Sequence, residues 1–295
     1  MKPPRQTLRL LLAAVASAAI LSFLLLLAPP DGLSPLSFLS SSPYAHRPKL
    51  LFLLAGQSNM AGRGAVVHPL PPPYRSHPRV FRLAASRGWV AAAPPLHADI
   101  DTHKTCGLGP AMPFAHRVLA AVSSPDSGGG GGRKDTPVVL GLIPCAVGGT
   151  RIWMWAKGQP LYEFAVARTL AAVADGGGIL GAVLWFQGES DTIEIDDAQS
   201  YGGKMERLVA DLRADLELPN LLVIQVGLAS GEGNYTDIVR EAQKNIILPN
   251  VLLVDAMGLP LRDDQLHLST EAQIRLGNML AEAYLKFNSS RGPKL

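Results

Sequence analysis

Short apolar runs alternate along the chain with longer stretches whose apolar positions follow the period of a helix. The runs are apolar at consecutive positions, which is typical of strands that are buried on both faces. Such alternation predicts a parallel sheet whose strands are joined by crossover helices. The predicted strands cover residues 50–55, 138–143, 182–186, 221–226 and 251–254.

The stretches with helical period predict five helices. A start signal at Ser269 or Thr270, followed by acidic Glu271, marks the beginning of the last helix. Five helices between and after five strands predict one α/β domain, a three-layer α/β/α sandwich around a five-stranded parallel sheet. The predicted helices cover residues 113–122, 161–174, 200–216, 236–247 and 270–287.

The N-terminal segment, residues 1–28, combines Lys2, Arg5 and Arg9 with a charge-free apolar run over residues 10–28. These 19 residues are enough to cross a bilayer, whereas a cleaved signal peptide usually has an apolar region of about 7 to 15. We therefore expect a signal-anchor, with a cleaved signal peptide as the alternative. Both place the body in the secretory pathway, either as a type II membrane protein facing the Golgi or ER lumen or as a secreted protein. A Ser/Pro-rich linker over residues 29–48 and one domain over residues 49–290 follow.

Composition and charge narrow the classes of function. The chain has 27 basic and 24 acidic residues, and 23 of each sign remain from Lys49 onward. A neutral body without a basic stripe is a poor nucleic-acid binder.

Glycosylation patterns at Asn234 and Asn288 agree with a lumenal environment. Cys106 and Cys145 leave a disulfide and two buried thiols as open alternatives.

Polar residues gather where the predicted strands end, which is the edge of an open α/β sheet where ligands bind. The first strand is followed by Gln57 and Ser58, and a serine in such a turn can act as a nucleophile or simply cap a helix. The third strand runs into the polar residues 187–191. After the fifth strand, Asp264 precedes His267 by three residues, so its carboxylate can accept from Nδ1–H and leave Nε2 free as a base.

In combination these blocks resemble the SGNH hydrolase superfamily. They resemble more closely its sialate O-acetylesterase-like branch, which includes plant carbohydrate esterases and acetylxylan esterases. The resemblance extends over nearly the whole body and implies a flavodoxin-like SGNH hydrolase fold. It also implies acyl transfer from an ester to water, without a cofactor. The matching blocks are Gly56-Gln57-Ser58-Asn59-Met60, Gly107-Leu108-Gly109-Pro110, Gln187-Gly188-Glu189-Ser190, and Asp264 with His267.

The resemblance also implies roles for individual residues. Ser58 is the expected nucleophile, His267 the base that takes its proton, and Asp264 the carboxylate that orients His267. The backbone N–H groups of Ser58 and Gly109 are the expected arms of an oxyanion hole, with the side-chain amide of Gln187 as the third. Gln187 departs from the asparagine to which the superfamily's name refers.

Two assignments remain open at this level. Glu189 competes with Asp264 as the partner of His267, because the glutamate of this block is thought to have that role in some relatives. The expected substrate-binding residues are Gln57 and Arg151, since a guanidinium donates well to sugar hydroxyl or carboxylate groups. Trp153 and Trp155 follow, and they either stack on sugar rings or cover the core.

The function predicted from the sequence is hydrolysis of acetyl esters on sugars or cell-wall polysaccharide. The expected partner is an acetylated carbohydrate, with a membrane contact only through an uncleaved N-terminal segment. A lumenal polysaccharide O-acetyltransferase and a non-catalytic glycan-binding protein are the alternatives, because one triad can transfer its acyl group to a sugar hydroxyl and one fold can lose turnover. The segment from His97 to His103 contains histidines and aspartates but lacks metal-site spacing, so no metal is predicted.

Overall fold

A computed structural model describes residues 42–122, 137–175 and 178–290. These residues are organised around a seven-stranded sheet with the order β3-β2-β4-β1-β5-β6-β7, in which β2 and β3 are antiparallel and the other neighbours are parallel. Every residue of β1 is buried. The strands are β1 Leu50–Gly56, β2 Val80–Leu83, β3 Trp89–Ala91, β4 Leu140–Pro144, β5 Ile179–Phe186, β6 Val223–Gly227 and β7 Val251–Asp255.

Helices cover the sheet. Helices α2 and α6 pack against each other on the face to which Phe52 of β1 points, since its ring lies edge-on to Phe114 of α2 and Tyr284 of α6. Tyr162 of α3 donates to Asp215 at the end of α4 at 2.7 Å, and α4 packs on α5, so these three helices form the other layer. The helices are α1 Ser58–Ala61, α2 Ala111–Val122, α3 Pro160–Ala174, α4 Ile195–Asp215, α5 Thr236–Lys244 and α6 Thr270–Ser289.

The prediction of a three-layer α/β/α arrangement is confirmed, but the count of five strands is wrong. All five predicted strands are present, and among themselves they have the order 2-1-3-4-5 of the flavodoxin-like folds. Strands β2 and β3 extend the sheet beside β4. They are four and three residues long, and two of the three β3 residues are exposed, so neither strand leaves an apolar run in the sequence.

The topology places a crevice between β1 and β5. Strand β1 lies between β4 and β5. The chain returns from β1 to β4 by way of β2, β3 and α2, which lies on one face, whereas it enters and leaves β5 through helices of the other face. The loops that follow β1 and β5 therefore diverge at their carboxyl ends. In open α/β sheets this switch point is where ligands bind.

The predicted N-terminal segment 1–28 lies outside the described residues, as does most of the linker. Among the residues that the structure describes, no helix has both the length and the apolar character needed to span a bilayer. The described end of the linker forms a local turn, in which the Lys49 ammonium donates to the carbonyls of Ala45 and Arg47 at 2.7 and 3.0 Å.

Candidate active site

The turn after β1 presents Ser58 at the crevice. Gly56 has φ 128°, and a side chain there would overlap the carbonyl oxygen of Phe186, so the turn requires glycine. Ser58 begins the four-residue helix α1 and keeps only 5% of its surface exposed. The nucleophile predicted from the sequence therefore lies in a recessed position at the switch point.

The loop between β7 and α6 brings His267 to Ser58. The Nε2 atom of His267 lies 3.0 Å from Ser58 Oγ, and its Nδ1 atom lies 2.9 Å from Asp264 Oδ2. A carboxylate only accepts hydrogen bonds, so Nδ1 carries the proton and Nε2 is free to accept from the serine hydroxyl. Ser58, His267 and Asp264 thus form one hydrogen-bonded line, which can deprotonate a serine for attack on a carbonyl.

Asp264 is held in its charged form by the turn in which it lies. Its Oδ1 atom accepts from the backbone N–H groups of Leu266 and His267 at 3.0 and 2.9 Å. Partial burial raises the pKa of Asp264, but these bonds and the contact with the His267 ring outweigh it and lower the pKa to about 2. The carboxylate beside the imidazole is therefore ionised at any pH near neutrality.

Glu189, the alternative partner of His267, lies elsewhere. It begins the 3₁₀ turn Glu189–Thr192 after β5, is fully buried, and accepts from Asn59 Nδ2 at 2.8 Å. No hydrogen bond or ion pair joins it to His267, although the structure describes both residues. Burial raises the pKa of Glu189 to about 7. The geometry therefore pairs His267 with Asp264.

Two backbone N–H groups at the nucleophile turn, those of Ser58 and Gly109, have no acceptor among the described residues. Gly109 is held near the nucleophile turn by contact with Gly62, and the N–H groups of Gly107 and Leu108 are already taken by Gly62 and Gly64. The N–H of Gly109, and not that of Gly107, is therefore available to an oxyanion.

The Gln187 amide does not point to Ser58. It is fully buried, and its nitrogen donates to Asp191 Oδ2 at 2.5 Å and to the carbonyl of Thr150 at 2.8 Å. Asp191 also accepts from the N–H of Ile152, so both side chains tie the loop after β4 to the end of β5. The contacts of Gln187 thus give no support to its expected role as a third oxyanion donor.

The residues expected to bind substrate differ in how far they are exposed. Gln57 is fully buried beside Gln187 and Ser190, so it faces the protein interior rather than a substrate. The Arg151 guanidinium is paired with Asp197 at 2.7 Å and remains about one-third exposed. Trp155 is buried edge-on to Trp185, whereas Trp153 is 44% exposed.

A buried ion pair, which the sequence does not predict, lies beside Ser58. Arg63 Nη2 lies 2.6 Å from Asp101 Oδ2, and this oxygen also accepts from the N–H of Gly148 at 3.2 Å. A Cβ atom on Gly148 would lie 3.5 Å from Ser58 Cβ and would overlap the Arg63 guanidinium. The type and order of residues carry no signal for this cluster, because its members come from three loops.

The histidine-rich segment has a structural role. His97 is fully buried, and burial lowers its pKa to about 3, so its ring is neutral. The aspartates of the segment form ion pairs, Asp99 with Arg82 and Asp101 with Arg63. Within the described ranges no group of three or more histidine, cysteine or acidic side chains is arranged to hold a metal.

Comparisons with known proteins show what the chain is similar to. A family model described as carbohydrate esterase, sialic acid-specific acetylesterase, matches residues 48–286. A probable carbohydrate esterase of Arabidopsis thaliana is 49% identical over 249 residues, which cover 81% of this chain and 91% of the relative. The X-ray structure of an Arabidopsis thaliana protein has a TM-score of 0.74 at 48% identity and covers 81% of this chain and 98% of its own. The crystal structure of NanS shares the fold, with a TM-score of 0.64 at 19% identity over 84% of this chain and 99% of NanS.

Proposed function

The chain belongs to the carbohydrate esterase family of sialic acid-specific acetylesterases, and from this premise we propose that it is a carbohydrate O-acetylesterase acting through Ser58, His267 and Asp264. The family match confirms the resemblance inferred from the sequence, and it makes the chain a hydrolase of ester bonds. The observation that carries the finer proposal is the continuous line of hydrogen bonds from Ser58 through His267 to Asp264.

The proposed reaction has two halves. Ser58 Oγ attacks the acetyl carbonyl while His267 Nε2 takes its proton, and the N–H groups of Ser58 and Gly109 bind the negative oxygen of the tetrahedral intermediate. The intermediate collapses to an acetyl-enzyme, and the imidazolium gives its proton to the departing sugar oxygen. Water then attacks the acetyl carbon while His267 Nε2 takes one of its protons. When this second intermediate collapses, the imidazolium returns the proton to Ser58 Oγ, the bond between Ser58 and the acetyl carbon breaks, and acetic acid leaves and ionises to acetate. Asp264 holds the ring and stabilises the imidazolium in both halves.

A small acyl group suits the space around the nucleophile. Ser58 is recessed, and Gly148 lies so close to it that a Cβ atom added to this glycine would be 3.5 Å from Ser58 Cβ. The family description, which specifies acetylesterases, supports the same choice. We therefore expect the rate constant kcat/KM to fall as the acyl chain of a test ester is lengthened from acetyl to butyryl.

The test is acetate release from a chromogenic acetate ester and from acetylated xylan, with Ser58→Ala as the comparison. The variant should fold normally, because it removes one hydroxyl, and should lose essentially all activity. Acetate release that needs an added sugar acceptor would instead indicate an O-acetyltransferase. An unchanged rate in Ser58→Ala would remove this serine from the mechanism, and binding without turnover by the wild-type protein would indicate a glycan-binding protein.

We also propose that the domain works in the secretory pathway, on the ground of the basic and apolar residues 1–28. The expected topology places the domain in the lumen or outside the cell. Protease protection of the full-length chain in microsomes tests this topology, since a domain on the cytoplasmic side would be digested without detergent.

A further inference from the structure

Glu189 is a buried carboxyl next to the nucleophile turn that the proposed reaction does not use. Among the described residues it has no cationic partner, and its Oε1 atom accepts from Asn59 Nδ2 at 2.8 Å. A carboxyl with 1% exposure and no cation is costly to keep, as its pKa of about 7 reflects. Its contact with Asn59 is therefore the place to look for a role.

Asn59 connects this carboxyl to both sides of His267. Its Oδ1 atom accepts from the N–H of Leu268 at 2.9 Å, and its Nδ2 atom also approaches the carbonyl of Leu266 at 3.4 Å. Asn59 directly follows Ser58 in the chain and is itself fully buried. Its amide is thus a bridge between the turn that carries the nucleophile and the loop that carries the base.

The orientation of this bridge depends on Glu189. With its nitrogen toward the Glu189 acceptor, the Asn59 amide must direct its oxygen to the N–H of Leu268. Without an acceptor at Glu189, one N–H of the amide is left buried and unpaired, which is unfavourable enough to make the amide move. Any movement of the amide releases the backbone on both sides of His267.

We propose that Glu189 is a positioning residue, which acts through Asn59 to hold His267 Nε2 against Ser58 Oγ. This inference rests on the proposed function, and it assigns to Glu189 a role other than that of triad carboxylate. The role requires an acceptor oxygen at this position and does not require a charge. A displacement of about 1 Å in catalytic geometry can lower a rate by roughly 10²-fold, so the effect is expected on kcat rather than on KM.

Three variants test the need for an acceptor. Glu189→Leu removes both oxygens at nearly constant size, and we expect kcat to fall about 10- to 100-fold with KM changed less than about twofold. Glu189→Gln restores an acceptor for Asn59 and should recover most of the kcat lost in Glu189→Leu. Glu241→Gln is the matched control, because Glu241 lies exposed on α5, paired only with Lys244 in the described contacts.

Two results with the Glu189 variants would overturn the role. If Glu189→Gln is as inactive as Asp264→Asn, the charge itself is needed and Glu189 takes part in the triad. If Glu189→Leu keeps the wild-type kcat, the contact with Asn59 has no influence on the reaction.

A double-mutant cycle tests the route through Asn59. Asn59→Ala alone should lower kcat as Glu189→Leu does, and adding Glu189→Leu to it should change kcat by less than about twofold. Independent effects that multiply would contradict the route. Should Glu189→Leu fail to fold, as judged by circular dichroism, Asn59→Asp tests the same route from the other end, because its carboxylate cannot donate to Glu189. Wild-type kcat in Asn59→Asp would refute the proposal.

Failure of the proposed function looks different. In that case the wild-type protein would neither release acetate nor be labelled at Ser58 by a fluorophosphonate. The positioning role would then be decided by a crystal structure of Glu189→Leu. A distance from His267 Nε2 to Ser58 Oγ beyond hydrogen-bond reach, about 3.5 Å, would support it, and an unchanged distance would refute it.

Discussion

Replacing Glu189 with glutamine removes a buried ionisable group while keeping its size, and this makes the pH dependence of stability a test of its environment. The pKa of Glu189 is raised by burial from 4.5 to about 7. The protonated form is thus favoured in the folded protein. The stability contributed by this preference is complete below pH 4.5, the unfolded value, and is lost as the pH rises through about 7.

The size of the effect follows from the shift. One pKa unit corresponds to about 1.4 kcal/mol, so a rise from 4.5 to about 7 corresponds to about 3 kcal/mol. The glutamine variant lacks this titration. Its free energy of unfolding, relative to that of the wild-type protein, should therefore increase by about 3 kcal/mol between pH 4 and pH 8. The free energy of unfolding of a typical domain is about 5–15 kcal/mol in total, so a change of this size is easily measured.

Urea unfolding at pH 4 and pH 8 provides the assay, with Glu241→Gln as the exposed control. Asp191, whose pKa is raised by burial to about 6, titrates in both proteins and cancels in the difference to first order. If the unfolding free energies of the wild-type protein and Glu189→Gln keep a constant difference across this range, Glu189 is ionised in the folded state, and its burial is not the dominant influence on its pKa.

The remaining predictions concern the site and the thiols. Asp264→Asn should lower kcat by roughly 10³- to 10⁴-fold, because an amide can hold the wrong imidazole tautomer; a loss no larger than that in Glu189→Gln would reverse the assignment. Gly148→Ala should destabilise the fold by about 1–3 kcal/mol and reduce esterase activity, since its methyl group displaces the Arg63 guanidinium. Full activity would show that the loop moves to make room for the methyl group. Cys106 and Cys145 are both free thiols in the structure, so thiol titration of the denatured, unreduced protein should find two thiols, and none would indicate a disulfide.

The sequence predicts the central strands well because burial on both faces leaves a simple pattern. All seven residues of β1 are buried, and its apolar run is visible in the sequence without any knowledge of its neighbours. Strands β2 and β3 give no such pattern. Strand β2 pairs with β4, and β3 pairs with β2 at the edge of the sheet, where a strand of three residues needs no apolar stripe.

Side-chain pairings could be predicted where they depend on local spacing and not where they depend on distant partners. The pairing of Asp264 with His267 lies within one turn, and the structure has it at 2.9 Å. Arg151, by contrast, pairs with Asp197, which lies on α4. The direction of the Gln187 amide is likewise determined by Asp191 and the carbonyl of Thr150. A motif gives the type of a side chain, whereas its partners come from the packing of other loops.

The two carboxyls considered as partners of His267, Asp264 and Glu189, differ in the donors that surround them. A triad carboxylate must stay ionised while the imidazole becomes charged, so it needs donors that stabilise its own charge. Asp264 obtains two such donors from the backbone of its own turn, which a spacing of three residues makes possible. Glu189 is fully buried, and burial without a cation favours its neutral form. The more exposed carboxyl is therefore the better partner for an imidazolium, and the buried one is better suited to holding an amide in place.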